Sequence, residues 1–401
     1  MSTIKFRLNI AAQDCYVYSN HVFIITQNGE LIVISLTKVI KQIFDQYPHF
    51  HSFLRLVFLR NDYLFNTQAK YFLEIPNLRK QFIAAWNDLA KEEEISVDIG
   101  IDDFEFVCKV PEIPIYDMRI YGMRIYIATK SALYEIRMTL EDEYNLNYSN
   151  LKKIFDAKVI HLNAKSGALF ASAGKEGLFY GSLDSTQTFI NERPIQAKSL
   201  KTSWSSYDIF NYDEVDNFSF LVNEINNSKQ TERLSHSRFD ESGKDVKFVK
   251  VASEKHSMQE LIQTSPINVD DIIYCHNTAK KGVFYLKGGK ISVMNFYRES
   301  KSGYHFSSNS DTTQFGDKAF SRPLSSHSIV HGSLIEFRDH IAIFRDNSFA
   351  KIDDECSMSL RSYLGSIRYR NLITNVKEDF IVFHSVNPFI ENGKPALDGR
   401  L

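Results

Sequence analysis

The 401-residue chain has only two tryptophans, nine prolines and four cysteines, and its net charge is −2. Each scarcity excludes something. Lys+Arg (47) and Asp+Glu (49) nearly cancel, so no long-range field draws the chain to nucleic acid or to an anionic membrane. Cys15, Cys108, Cys275 and Cys356 are far apart and form no C-x-x-C pair. They read as four buried, reduced thiols, not as a disulfide framework or a zinc site. No window holds the roughly 18 apolar residues that a membrane helix needs, and residues 1–11 contain no leader-like apolar run. The expectation is a soluble, cytoplasmic protein. Phosphate loops, dinucleotide fingerprints, nucleophile elbows and zinc-protease motifs are also missing from the sequence.

What the chain has in quantity is Phe (31) and Tyr (20), residues that suit pleated, half-buried surfaces. They fall into a recurring doublet of apolar strand, tight polar turn and second strand. The clearest copies are residues 21–35 (HVFIITQNGELIVIS), 123–136 (MRIYIATKSALYEI) and 168–180 (ALFASAGKEGLFY). Further copies start at Asp62, Asn217, Gly282, His340 and Asp379. Successive starts lie 39 to 65 residues apart, about 51 on average, the spacing of β-propeller blades. Another apolar strand precedes most doublets, at residues 54–59, 158–162, 271–275 and 333–337. The expected fold is therefore all-β, a single β-propeller over residues 1–401 with seven to eight four-stranded blades. Residues 4–10 supply a strand that closes the last blade and removes its open edge.

Two stretches keep helical spacing instead, near the N-terminus at about 37–50 and 77–94. Val39, Ile40, Ile43, Phe44 and Tyr47 share one face of the first. Leu78, Phe82, Ile83, Trp86, Leu89 and Ala90 share one face of the second, which Pro76 and Asn77 start. Such faces either cover the propeller's own side or meet a partner. Phe82, Trp86 and Leu89 are the candidate partner-binding residues, because insertions in repeat arrays map to binding faces. Residues 302–331 and 226–260, rich in polar residues, read as long surface connectors.

One local motif supports the architecture. Residues 182–189 (SLDSTQTF) resemble the Asp-box of sialidase-type propellers, Ser-x-Asp-x-Gly-x-Thr-Trp. Ser182, Asp184 and Thr188 match, while Thr186 replaces the glycine and Phe189 the tryptophan. In that family the box is structural, so the resemblance implies a propeller hairpin and carries no catalytic residue.

Other constellations have plain structural explanations. Asp98, Asp102, Asp103 and Glu105 could hold a hard cation or do acid–base work, yet their alternation with Ile and Phe reads as an exposed strand face. His49 and His51, and His327 and His331, lack a third ligand at metal spacing. Basic and aromatic residues interleave at residues 116–126 and 367–370, which suits either single-stranded nucleic acid or strands with snorkelling arginines. No catalytic, cofactor or metal residue is assigned, and the reading leans away from an enzyme. The leading function is a non-catalytic recognition or scaffold subunit that binds another protein in a cytoplasmic complex. The alternatives are a glycan-active hydrolase or lyase with a central pocket, and a single-stranded nucleic-acid binder.

Overall fold

The computed structural model describes residues 3–61, 71, 74–92, 95–141, 145–165, 167–182, 194–195, 197–204, 209–212, 218–224, 250–277, 281–299, 303–306, 311–314, 322–330, 332–345, 348–366 and 368–386. Among these, the strands form seven antiparallel meander sheets with few additions; the sheet of residues 161–182 has three strands, so six blades of four or more strands stand where seven to eight were expected. That topology is the all-β, β-propeller class. The chain divides into two compact units, Met1–Pro111 with Pro323–Leu401, and Glu112–Arg322.

The first unit begins with β1 (Thr3–Asn9) and then the sheet β2 (Ala12–Tyr18), β3 (His21–Thr26), β4 (Glu30–Ser35). Ser19 and Asn20 both take positive φ at the β2–β3 corner, the left-handed pair that a two-residue hairpin requires. Between β4 and the outer strand of its sheet the chain leaves for a helical insertion. Helix α1 (Leu36–Gln46) starts where the Ser35 hydroxyl accepts the Lys38 amide. It buries Leu36, Val39, Ile40, Ile43 and Phe44. Helix α2 (Pro76–Leu89) follows, with proline in its first turn. The chain returns through β5 (Ser96–Asp98), parallel to β1, and β6 (Phe104–Lys109), which pairs with β4.

The second unit holds four meanders. β7 (Ile115–Tyr121), β8 (Arg124–Thr129) and β9 (Leu133–Leu140) are completed by β10 (Leu146–Tyr148) and β11 (Lys152–Phe155), both paired to β9. β12 (His161–Lys165), β13 (Ala168–Ser172) and β14 (Leu178–Ser182) form the next. β15 (Lys201–Trp204), β16 (Ile209–Tyr212), β17 (Phe218–Glu224) and β18 (Lys250–Ser257) form the third. β19 (Ile272–Asn277), β20 (Lys281–Leu286) and β21 (Lys290–Glu299) are completed by β22 (Gly303–Phe306) and β23 (Asp311–Gln314). The leading strands β7, β12, β15 and β19 are successive neighbours.

The first unit resumes with β24 (Ser325–Ile329), β25 (Gly332–Glu336), β26 (Ile341–Arg345) and β27 (Ser348–Asp353). Its last sheet runs β28 (Ser359–Ser362), β29 (Leu372–Val376), β30 (Ile381–Val386), β1, β5. β1 pairs antiparallel with β30, Phe6 opposite Phe383. Their rings stack at 4.5 Å, and Phe58 of the helical insertion meets Phe6 edge-on at 4.9 Å.

Several expectations change. The stretch Leu54–Leu59 is helical, not a strand, and buries Leu54, Val57 and Phe58 at helical spacing instead of alternate residues. In the Asp62 doublet, Tyr71 and Glu74 are helical, while 62–70, 72 and 73 lie outside the described residues. The other seven doublets each contribute to a different sheet. The polar stretch 302–331 is not one connector, for it contributes β22, β23 and β24. Of 226–260, residues 226–249 are outside the described set and the rest form β18 and the short helix Met258–Leu261. Ser182 ends β14, and the Asp-box residues 183–189 are also outside it.

Phe6 is 1 % exposed and joins strand closure to the insertion. Phe6→Ala should lower unfolding free energy by about 3–5 kcal/mol, whereas Val107→Ala, on the exposed face of β6, should change it by about 0.5 kcal/mol or less. Urea denaturation of both variants checks this, and equal losses would contradict it.

Candidate functional site

The helical insertion carries the residues expected to meet a partner. Phe82, Trp86 and Leu89 line α2, but they are 9, 0 and 0 % exposed. Phe53 packs against the Phe82 ring at 5.0 Å and the Trp86 ring at 6.0 Å, and the three belong to the core shared with α1 and β1. This face covers the protein's own side. The helix overhangs that core at its start: Leu78, on the same face as Phe82, is 40 % exposed, and Ile75 and Tyr71 before it are 46 and 64 % exposed. Helical spacing identifies the face but not where the core beneath it ends, so these three escaped notice as a surface.

The acidic stretch is dispersed. Asp98 accepts from the Asn9 side chain at 2.6 Å, and Asp103 accepts the Gly100 amide at 2.9 Å. Glu105 pairs with His21 at 3.0 Å and Lys38 at 3.1 Å. Among the described residues no three His, Cys, Asp or Glu side chains are placed to hold a metal ion. His49 and His51 lie in the turns after α1, His327 lies in β24, and His331 is outside the described residues. The interleaved segment at 116–126 is the β7–β8 hairpin, with Met118, Ile120 and Tyr126 buried. At 368–370, Tyr369 is buried and its hydroxyl hydrogen-bonds Asn20.

All four cysteines are free, but only Cys15 and Cys275 are buried, and Cys356 is exposed. The expectation of four buried thiols fails because Cys108 sits on edge strand β6 and Cys356 follows the end of β27. Burial pushes the Cys15 thiol well up and the Cys275 thiol up to about 12. Both are held protonated, which disfavours nucleophilic chemistry.

Polar clusters on the sheets include three with a charged centre. In the first unit, Arg361 of β28 binds both carboxylate oxygens of Asp14 on β2, Nε at 2.8 Å, and Ser359 donates to the same carboxylate at 2.6 Å. In the second, Glu135 of β9 is clamped by Arg124 at 3.2 Å and Arg137 at 2.6 Å. The third, also in the second unit, surrounds Lys201 of β15. Its ammonium donates to the Tyr274 hydroxyl at 2.6 Å and lies 4.3 Å from that ring's centre and 5.1 Å from the Tyr212 ring's. The Tyr212 hydroxyl accepts from Asn277 at 2.8 Å and hydrogen-bonds Ser203 at 3.0 Å. Arg361 and Lys201 were not legible as site residues, because their partners come from other strands, and Glu135 takes Arg124 from β8 as well as Arg137 from its own strand.

No protein-family model matches the chain, and no curated protein matches it. Solved structures that resemble it include the Cps50 (Swd1) β-propeller domain of Myceliophteria thermophila, 7% identical, with a TM-score of 0.46, covering 94% of this chain and 97% of that one. Another is BBS1N, solved in complex with ARL6DN, 6% identical, with a TM-score of 0.48, covering 96% and 98%. A third is PorZ, a bacterial surface component of the type-IX secretion system of Porphyromonas gingivalis, 8% identical, with a TM-score of 0.42. It matches 94% of this chain, which spans 38% of PorZ. The propeller assignment rests on strand order, and these likenesses add no functional argument. No helix among the described residues is long and apolar enough to cross a membrane.

Arg361→Ala strands the Asp14 carboxylate, whose side chain is 9% exposed, and should cost about 3–5 kcal/mol of stability by urea denaturation. Burial, with Lys201 adding, pushes the His276 ring down to about 3, and burial pushes His384 of β30 down to about 4. Both His384 ring nitrogens lack a hydrogen-bond partner among the described residues. An unfolded histidine titrates near 6.5. Both contributions are therefore complete above about pH 6.5 and are lost as pH falls towards 4, because the unfolded chain takes up protons that the folded chain refuses. The urea midpoint should fall across that window and fall less in His384→Leu; an identical decline in that variant would contradict the assignment.

Proposed function

We propose that this protein is a recognition module that binds another protein through the exposed start of α2. The carrying observation is the apolar trio Tyr71, Ile75 and Leu78, exposed within eight residues and backed by the packed rings of Phe53, Phe82 and Trp86. Exposed Tyr, Ile and Leu cost solvation unless a partner covers them, and a rigid base beneath them reduces the entropy lost on binding. The segment also interrupts a sheet: β4 ends at Ser35 and its partner strand β6 starts at Phe104, a detour that meander closure does not need. Insertions of this kind in repeat architectures carry binding surfaces. Four free cysteines favour a reducing compartment such as the cytoplasm for the complex.

The test is affinity capture of the tagged chain under mild salt. The unaltered chain should recover a stoichiometric partner. The triple variant Tyr71→Ser, Ile75→Ser, Leu78→Ser should lose it while melting at the same temperature, since each residue is exposed. Hot-spot losses of about 2 kcal/mol apiece would weaken binding well over tenfold. Equal recovery by both proteins, or no partner for either, would overturn the reading.

A further inference from the structure

The Lys201 cluster has an unbalanced charge, and this observation is independent of the helical surface. Lys201 is half-buried, and among the described residues the partners of its ammonium are the Tyr274 hydroxyl and two tyrosine rings. No carboxylate lies within ion-pair distance of it among the described residues, in contrast to the other cationic groups of the polar clusters, Arg361, Arg124 and Arg137. An ammonium has three N–H donors, and one of them is used among the described residues. A cation moved out of water without a counter-charge is costly, so the site favours an anion that completes it.

The walls support such a ligand. Tyr285 of β20 packs edge-on against Tyr274 at 5.6 Å between ring centres. Its hydroxyl, a potential donor, is buried with no hydrogen-bond partner among the described residues. Burial raises Tyr212, Tyr285 and Cys275 and lowers His276, so all four are neutral near pH 7. The cluster therefore holds one positive charge among neutral, hydrogen-bonding walls. The Tyr274 and Tyr212 rings lie within cation–π distance of the ammonium and hold the lysine chain in place.

We propose that Lys201, with the hydroxyls of Tyr274 and Tyr285, forms a binding site for a small oxyanion, a carboxylate or a phosphate group. The ammonium supplies charge-assisted hydrogen bonds, the strong kind for such ligands. The phenols contribute neutral donors. Sequence gives no hint of this site, because Lys201 and Tyr274 come from leading strands 73 residues apart.

Inorganic phosphate and acetate are the probes. Each is titrated against the full chain at ionic strength held constant with sodium chloride, and thermal melting and tyrosine fluorescence are recorded. The expected result is a saturable rise in melting temperature with at least one probe. Phosphate alone acting assigns a phosphate group; acetate alone acting assigns a carboxylate. Lys201→Met should weaken the response by about tenfold or more, the worth of a charge-assisted hydrogen bond, and Lys201→Arg should retain it. Tyr274→Phe, which keeps ring and charge, should give an intermediate loss and covers the case in which the methionine variant fails to fold. No saturable response to either probe, or an unchanged response in Lys201→Met or Tyr274→Phe, would overturn the proposal.

Discussion

A β-sheet leaves a row of unpaired backbone groups at each edge, and in the first unit β1 pairs with β30, the last of the described strands, so that neither of the two is an edge. β1 lies between β30 and β5, so it has a hydrogen-bonding neighbour on each side. Phe6 makes the same strand a packing centre, with Phe383 stacked on one side and Phe58 edge-on. The helical insertion is thereby fixed to the strand that joins the two ends of the unit. Its buried face, Trp86 and Leu89 included, belongs to the core that β1 completes. The exposed residues at the head of α2 are displayed by a rigid base for this reason, and a docking surface benefits from such preorganisation.

The polar groups follow a related logic. Asp14 is buried, yet Arg361 and Ser359 satisfy it from the adjoining sheet. Lys377, also buried, meets Asp353 at 3.0 Å and two backbone carbonyls. Such networks link neighbouring strands and are complete as they stand. Lys201 differs in being a cation held by hydroxyl and ring partners. The distinction between satisfied and unsatisfied charge is what sets the proposed oxyanion site apart from these clusters.

The hairpins were legible in the sequence because period-2 alternation and a turn of Gly, Asn or Ser are local signals, as at 21–35, where Gly29 takes a φ of 76°. Residues 54–59 were misread because a short apolar run suits strand and helix alike, and only burial of Leu54, Val57 and Phe58 decides. The polar strands β22 to β24 lacked the apolar alternation that marks the others. The face of α2 was legible, but its covered part was not: whether Leu78 or Trp86 meets solvent depends on Phe53 and β1, remote in sequence. Lys201 is one lysine in one short strand, and its meaning exists only beside Tyr212 and Tyr274.

The central claim is that the protein meets its partner through the start of α2. Hydrogen–deuterium exchange on the captured complex, compared with the free chain, tests it most directly. The account predicts slowed exchange concentrated at residues 71–80 on binding, with the buried end of α2 protected in both states. Unchanged exchange at 71–80 together with new protection on the sheets would contradict it.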